Sequence, residues 1–312
     1  MPLVLLVTFA LMPSGEPGGE VLVPALAERG IDARWVCWDD RTVDWAAADL
    51  VAVRSAWDYH RRLPAFLDWA RSVEAGTRLL NGADVFAWNA DKSYLVELAA
   101  HVPVVPTAVV EDAALVPGLS AALQRWGTVV IKPCTGAGGR GVVVVRGIGD
   151  GSLFDLAPGP WVVQPLVTSV RTSGETSVYV LGGRAVSQVD KAVAGEEIRV
   201  HEQYGGISRP VPLDPSLAEV AERAVAAAAG LCAADLPYAR VDLMSWQGKS
   251  VVSELELIEP GLYLDVDPTI AEPFADAVAA VVGRPTHPPG ALGATNSGGP
   301  PTSGPPACVD GV

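Results

Sequence analysis

Apolar and polar positions follow two rhythms along the chain. Leu3 to Phe9 is an apolar run of strand length interrupted only by Thr8. After a Gly/Pro-rich stretch, Glu20 to Arg29 shows helical spacing and stops at Gly30. Asp32 to Val36 and Leu50 to Arg54 read as strands, and Pro64 to Val73 reads as a helix. Strand–helix alternation of this kind predicts a parallel α/β layer over residues 1–87. Six of the nine tryptophans (Trp35, Trp38, Trp45, Trp57, Trp69 and Trp88) fall in or just after it. Leu3 to Phe9 lacks a basic flank and meets Pro13 and Gly15 well short of the roughly 20 residues a membrane helix needs, so a buried strand is expected.

Residues 88–167 change texture. Helices are expected over Asp91 to Ala99 and Ala113 to Trp126, then strands over Val129 to Lys132 and Val142 to Arg146. Residues 168–282 supply further strands and two alanine-rich helices, Pro215 to Cys232 and Ile270 to Val282. Residues 283–312 contain seven Pro and seven Gly, a composition that cannot bury enough apolar surface to offset chain entropy, so a flexible tail without a catalytic role is expected.

With 312 residues, 49% hydrophobic and 19% charged, the chain is long enough for a sizeable core. Wholesale disorder and a coiled coil are excluded. A net charge of −14 argues against nucleic acid or an acidic membrane as partner, so any local basic cluster calls for a small anionic ligand. Cys37, Cys134, Cys232 and Cys308 are scattered, with no CxxC pair, as expected of reduced thiols in a cytoplasmic protein. Homo-oligomerisation is left open.

Two segments carry chemistry. In VVIKPCTGAGGRGVVVV, Gly136, Gly138, Gly139 and Gly141 separate two β-branched strands, with Lys132 ending the first strand and Arg140 in the loop. Glycines let backbone N–H groups approach a ligand closely, so this loop reads as a phosphate cradle. It is neither a Walker A loop nor a dinucleotide fingerprint, because no helix follows. The alternative is an ordinary hairpin with a loose turn. In YARVDLMSWQGKSVVSELELIEP, two strands meet at Gln247-Gly248. Asp242 lies in the first, and Glu254 and Glu256 share a face of the second. Burying three carboxylates together is costly unless a cation joins them. Oxygen-only ligands suit Mg²⁺ or Mn²⁺. A solvated polar stripe is the competing reading. Glu259 has the opposite parity unless the chain bends before Pro260.

In order and spacing these segments together resemble the ATP-grasp superfamily, on its glutathione synthetase and RimK-like side, over about residues 88–282. The resemblance implies an α/β architecture in which ATP lies between two lobes, 88–167 and 168–282, behind the N-terminal lobe. It implies Lys92 in NADKSYL and Lys132 in VIKP as nucleotide lysines, with Gly136, Gly138, Gly139 and Arg140 in the loop over the phosphates. Gln164 and Val167 in WVVQPLV stand at the adenine hinge, and Glu175 in SGETSVYV stands at the ribose. Asp242, Glu254 and Glu256 are the implied metal ligands, with Glu256 where the family has Asn. Arg240, Lys191 and Arg199 would serve the phosphate and the reacting carboxylate, and His201 would touch substrate.

RSAWDYHRRLPAFLDW and ELELIEPGLYL resemble, within the superfamily, a subgroup that closes O-ureido-D-serine to D-cycloserine with ATP. That resemblance makes Arg54, Trp57, Asp58 and Tyr59 candidates for the substrate side, against the reading of core aromatics and an Arg54–Asp58 ion pair. It implies a ligase working through an acyl phosphate on a small amino-acid-derived substrate. An intermolecular amino-acid or peptide ligase, a nucleotide-binding regulatory protein and a kinase are the rivals.

Overall fold

The structure is a computed structural model of the chain. It describes residues 1–193, 195 and 197–284, so the tail expected over 283–312 lies outside them from residue 285 onward. Three sheets form. The first holds β1 (Leu3–Thr8), β2 (Asp32–Cys37) and β3 (Leu50–Val53), all parallel in the order β2-β1-β3. Helices α1 (Leu22–Ala27) and α2 (Leu63–Gly76) connect and flank it. Proline in the first turn of α2 removes a donor that would have had no intrahelical partner.

Next come α3 (Ala83–Asn89) and α4 (Tyr94–Leu98), then an antiparallel sheet ordered β4-β7-β5-β6. Its strands are β4 (Ala108–Val110), β5 (Val129–Pro133), β6 (Val143–Val145) and β7 (Trp161–Pro165), backed by α5 (Leu115–Trp126). Two departures from the expected helices occur here. The helix expected from Asp91 begins only at Tyr94, because Asp91 accepts from Ser93 N at 2.9 Å in a turn. Helix α3 was not expected.

The third sheet is antiparallel, in the order β10-β9-β8-β11-β12. It is built from β8 (Glu175–Leu181), β9 (Arg184–Ala192), β10 (Ile207–Val211), β11 (Tyr238–Trp246) and β12 (Lys249–Glu256), with α6 (Pro215–Cys232) and α7 (Ala271–Val282). Helix α6 spans the residues expected, because Asp214 caps it by accepting from Ser216 N at 2.7 Å and Pro215 starts it. The β11–β12 turn forms at Gln247 and Gly248, both at positive φ (51° and 75°) as a tight two-residue hairpin requires.

The first and third sheets share one core: Val4, Leu6 and Leu50 pack with Tyr179, Tyr238 and Phe274. The Tyr238 hydroxyl bridges the carbonyls of Val53 and Ile258, and Asn81 Nδ2 donates to the carbonyls of Tyr238 (2.8 Å) and Leu257 (2.7 Å). The four-stranded sheet has its own core of Val110, Leu119, Val129, Ile131, Val145 and Trp161. Where the chain enters and leaves it, Val105, Val167 and Val251 form a small buried cluster. Among the described residues no helix is long and apolar enough to cross a membrane.

Candidate active site

Strand register puts charge into rows. Ser177, Asp242 and Glu254 are direct cross-strand neighbours, as are Tyr179, Arg240 and Glu256; Glu175 pairs with Lys191. Residues two apart on a strand share a face, so all these side chains leave the same face of the sheet. That face floors a cleft of about 570 Å³, and the glycine loop of the four-stranded sheet lies across it.

On the floor, Arg240 joins the rows: its guanidinium donates to both oxygens of Asp242 at 2.9 Å and to Glu256 Oε1 at 2.5 Å. Ser177 donates to Asp242 Oδ1 at 2.5 Å. Lys191 Nζ sits 2.6 Å from Glu175 Oε1 and 3.3 Å from Asp242 Oδ1. Burial works against the Asp242 carboxylate, but Arg240 and Lys191 prevail and hold it well below the usual range. Burial likewise works against charge on Lys191, yet Asp242 and Glu175 keep its ammonium charged far above the ordinary lysine value. For Glu256 burial prevails over Arg240, and its carboxyl is pushed up to about 7. Glu259 is bent into the cleft as β12 ends at Glu256; burial and then Glu256 push its carboxyl well above the usual value.

One oxygen from each of Asp242, Glu254 and Glu256 lies within 4.8 Å of the others. Oxygen donors alone at this spacing fit a hard divalent cation.

On the facing wall, Lys92 bridges: Nζ lies 3.0 Å from Glu254 Oε1 and donates to the Gly136 carbonyl at 2.8 Å, while its main-chain N donates to Cys134 at 2.8 Å. Lys132 lines the cleft without an ion-pair partner among the described residues, and burial lowers its pKa. The loop glycines Gly138, Gly139 and Gly141 have φ of 62°, 68° and 73°, a backbone a side chain would strain. A third element closes on them. Gln203 donates to the Gly138 carbonyl at 2.7 Å, and a Cβ on Gly139 would stand 3.3 Å from both Arg199 and Tyr204. Gln164 and Val167 line the far end; Gln164 is anchored by donating to Thr107 Oγ1 at 2.9 Å.

The cleft thus gathers Arg240, Lys191, Arg199, Lys92, Lys132, Gly136, Gly138, Gly139, Arg140, Gln164, Val167, Glu175, the three clustered acids, Trp57, Asp58, Tyr59 and His201. It does not gather Arg54. That side chain is fully buried between Tyr238 and Phe274, so it cannot touch substrate. Its ion-pair partner is Glu16 at 2.5 Å, not Asp58, and it also donates to the Pro260 carbonyl at 3.0 Å. Asp58 accepts instead from Trp38 Nε1 (2.9 Å) and Arg62 (2.7 Å). Two further candidates are engaged with neighbouring protein groups. The Arg199 guanidinium is held by Glu197 at 2.6 Å and stacked on Tyr204. Glu175 is engaged by Lys191 at 2.6 Å and by Ser253 Oγ at 3.1 Å.

Three cleft residues escaped sequence reasoning. Glu16 sits in a Gly/Pro-rich loop, and its partner is 38 residues away. Gln203 was not singled out, and Tyr263 lies inside the ELELIEPGLYL segment without having been picked from it. Ser177 was within reach: it is two residues from Glu175 on one strand.

Residues 4–81 match the family model for the N-terminal domain of D-cycloserine synthetase DcsG. The cycloserine biosynthesis protein DcsG of Streptomyces lavendulae is 34% identical over 273 residues, 83% of this chain and 91% of that protein. The crystal structure of D-cycloserine synthetase DcsG superposes with a TM-score of 0.79 at 31% identity, covering 90% of this chain and 99% of that one. At 13% identity, D-alanine–D-alanine ligase from Bacillus anthracis, complexed with ATP, shares the fold with a TM-score of 0.64 over 90% of this chain and 97% of its own. The ATP-grasp ligase PsnB complexed with minimal precursor, Mg and ADP does so with a TM-score of 0.60 at 18% identity, over 90% and 98%. The chain belongs to the D-cycloserine synthetase family, ATP-dependent ligases built on the ATP-grasp fold.

Proposed function

We propose that this ligase closes O-ureido-D-serine to D-cycloserine, converting ATP to ADP and phosphate, with the lobes 1–87, 88–167 and 168–282 working around one cleft. A carboxylate is a poor electrophile for nitrogen. Its oxygen attacks the γ-phosphorus of ATP, ADP leaves, and an acyl phosphate forms. The ureido nitrogen bonded to the side-chain oxygen then attacks the acyl carbon, losing its proton, and phosphate leaves. Water afterwards takes the carbamoyl group off the ring nitrogen as carbamic acid, which breaks down to carbon dioxide and ammonia, and the ring nitrogen keeps a proton.

The observation that carries the reading is Lys132, a half-buried cation with no ion-pair partner among the described residues, in the same cleft as the Asp242–Glu254–Glu256 trio. Such a lysine is stabilised by an incoming phosphate. Asp242, Glu254 and Glu256 would hold Mg²⁺, or Mn²⁺ in its place, which neutralises phosphate oxygens when bound. Lys92, Lys132 and Lys191 carry the remaining phosphate charge. Arg240 receives the carboxylate and the oxyanion it becomes; donors of this kind contribute roughly 3–4 kcal/mol. Gln164 and Val167 border the adenine. The glycine loop with Arg140, locked by Gln203, keeps water from the acyl phosphate. Trp57, Asp58, Tyr59 and His201 line the substrate side. His201 Nδ1 accepts from Gln203 N at 3.2 Å.

ADP release is measured with ureidoserine of each hand, and with common amino acids singly and in pairs. The D-compound alone should support release. Release only when two substrates are present would assign an intermolecular ligase instead.

A further inference from the structure

The wall that follows β12 contains Tyr263 at φ 53°. A bulky aromatic residue in the left-handed region is an outlier, and it persists only where its surroundings over-determine it. Here they do. Leu262 N donates to Glu16 Oε2 at 2.8 Å, and Arg54 holds the Pro260 carbonyl at 3.0 Å. The Tyr263 carbonyl accepts from Val266 N at 2.9 Å and Asp267 N at 2.8 Å. Leu262 and Leu264 are buried on either side, and a Cβ on Gly18 would overlap the Leu264–Asp265 backbone. The Glu16–Arg54 pair therefore clamps a strained loop, and the loop presents Tyr263 to the cleft.

The hydroxyl is the second observation. Tyr94, Tyr179 and Tyr238 each donate theirs to main-chain carbonyls. The Tyr263 hydroxyl has no hydrogen bond among the described residues. Its ring lies 5.9 Å from the Arg240 guanidinium carbon. Burial raises its pKa, with Lys191 and then Arg240 opposing, so it remains a protonated donor beside two cations.

We propose that Tyr263 is a substrate-contact residue whose hydroxyl donates to a carboxylate oxygen of the amino-acid substrate, next to Arg240. The proposal rests on the ligase reading above. The strained backbone aims a third donor at the oxygen that Arg240 and Lys191 attract. The same donor serves the oxyanion formed when nitrogen attacks.

The test uses the full chain carrying Tyr263→Phe or Tyr263→Gly, with ureidoserine and ATP varied separately and Tm recorded. Tyr263→Phe should lower kcat/KM for ureidoserine by about 10-fold or more, as loss of a hydrogen bond to a charged group does, with KM for ATP and Tm unchanged. Tyr263→Gly should melt at or above the wild-type temperature, because the strain is gone, yet lose at least as much kcat/KM. A Phe variant with wild-type kcat/KM overturns the proposal. It decides even if the Gly variant unfolds, because it keeps both ring and backbone. A wild-type chain that releases ADP with another amino acid but not with ureidoserine overturns the substrate assignment alone, and the Phe variant is then judged on that amino acid. A chain inert toward all of them overturns both.

Discussion

The two walls of the cleft treat a lysine in opposite ways. On the five-stranded sheet Lys191 is wedged between Glu175 and Asp242 and held firmly charged. On the four-stranded sheet Lys132 is half-buried with no ion-pair partner among the described residues, and burial outweighs the more distant Glu254 to depress its pKa. The first lysine belongs to the architecture of its wall; removing it orphans two acids. The second is a cost to the empty protein that only an anionic ligand repays. A folded core tolerates such an expense chiefly where binding recovers it.

Stripping divalent cations strikes both walls at once. ADP release should fall to background and return with Mg²⁺; undiminished turnover after chelation would refute the metal reading of Asp242, Glu254 and Glu256. Lys132→Met should reduce turnover by about 10²–10³-fold, the usual effect of deleting a preorganised donor, without lowering Tm. Near-normal turnover would return Lys132 to the status of a chance burial. Lys191→Met should show the reverse emphasis: a stability loss of about 3–5 kcal/mol in denaturant unfolding, as when one partner of a buried pair is removed. Equal stability of the two variants would erase the contrast.

The contrast also has a pH signature. A lysine whose folded pKa is depressed penalises the native state fully below that pKa. The penalty fades as pH rises toward the ordinary value of 10.5. The Tm advantage of Lys132→Met should therefore narrow with rising pH, and an advantage that widens would reverse the assignment. The smallest effect is expected outside both walls. A chain ending at residue 284 should keep kcat within about twofold of the full chain, as Pro/Gly-rich segments too poor in apolar residues to build a core tolerate removal. A large loss would give the Pro/Gly-rich tail a role.

Much of the floor was legible because strands encode geometry in parity. Glu254 and Glu256 were placed on one face by spacing alone, whereas Asp242 comes opposite Glu254 through a bulge between Asp242 and Leu243 that the Gln247-Gly248 turn does not foretell. The pairing of Lys191 with Glu175 could not be read, because it depends on the β8–β9 register across a turn at Gly182 and Gly183. Arg54 was misread for a related reason. Its nearest acid in sequence, Asp58, is not its nearest in space, because the loop after β1 folds Glu16 back over the end of β3. Tyr263 lies in the quoted ELELIEPGLYL segment, but its left-handed backbone could not be read, since it is dictated by its clamps and not by its own propensity.

The shared core beneath the first and third sheets, with the Tyr238 hydroxyl stapling Val53 to Ile258, makes those two layers a single anvil. Parting them would strand buried carbonyls. The four-stranded sheet has its own core and joins this block around Val105, Val167 and Val251, two neighbouring crossings of the chain that form a natural axle. The glycine loop and Lys132 are thus carried over the floor by a layer with a core of its own, the arrangement a lid has in enzymes that open and close on their substrates.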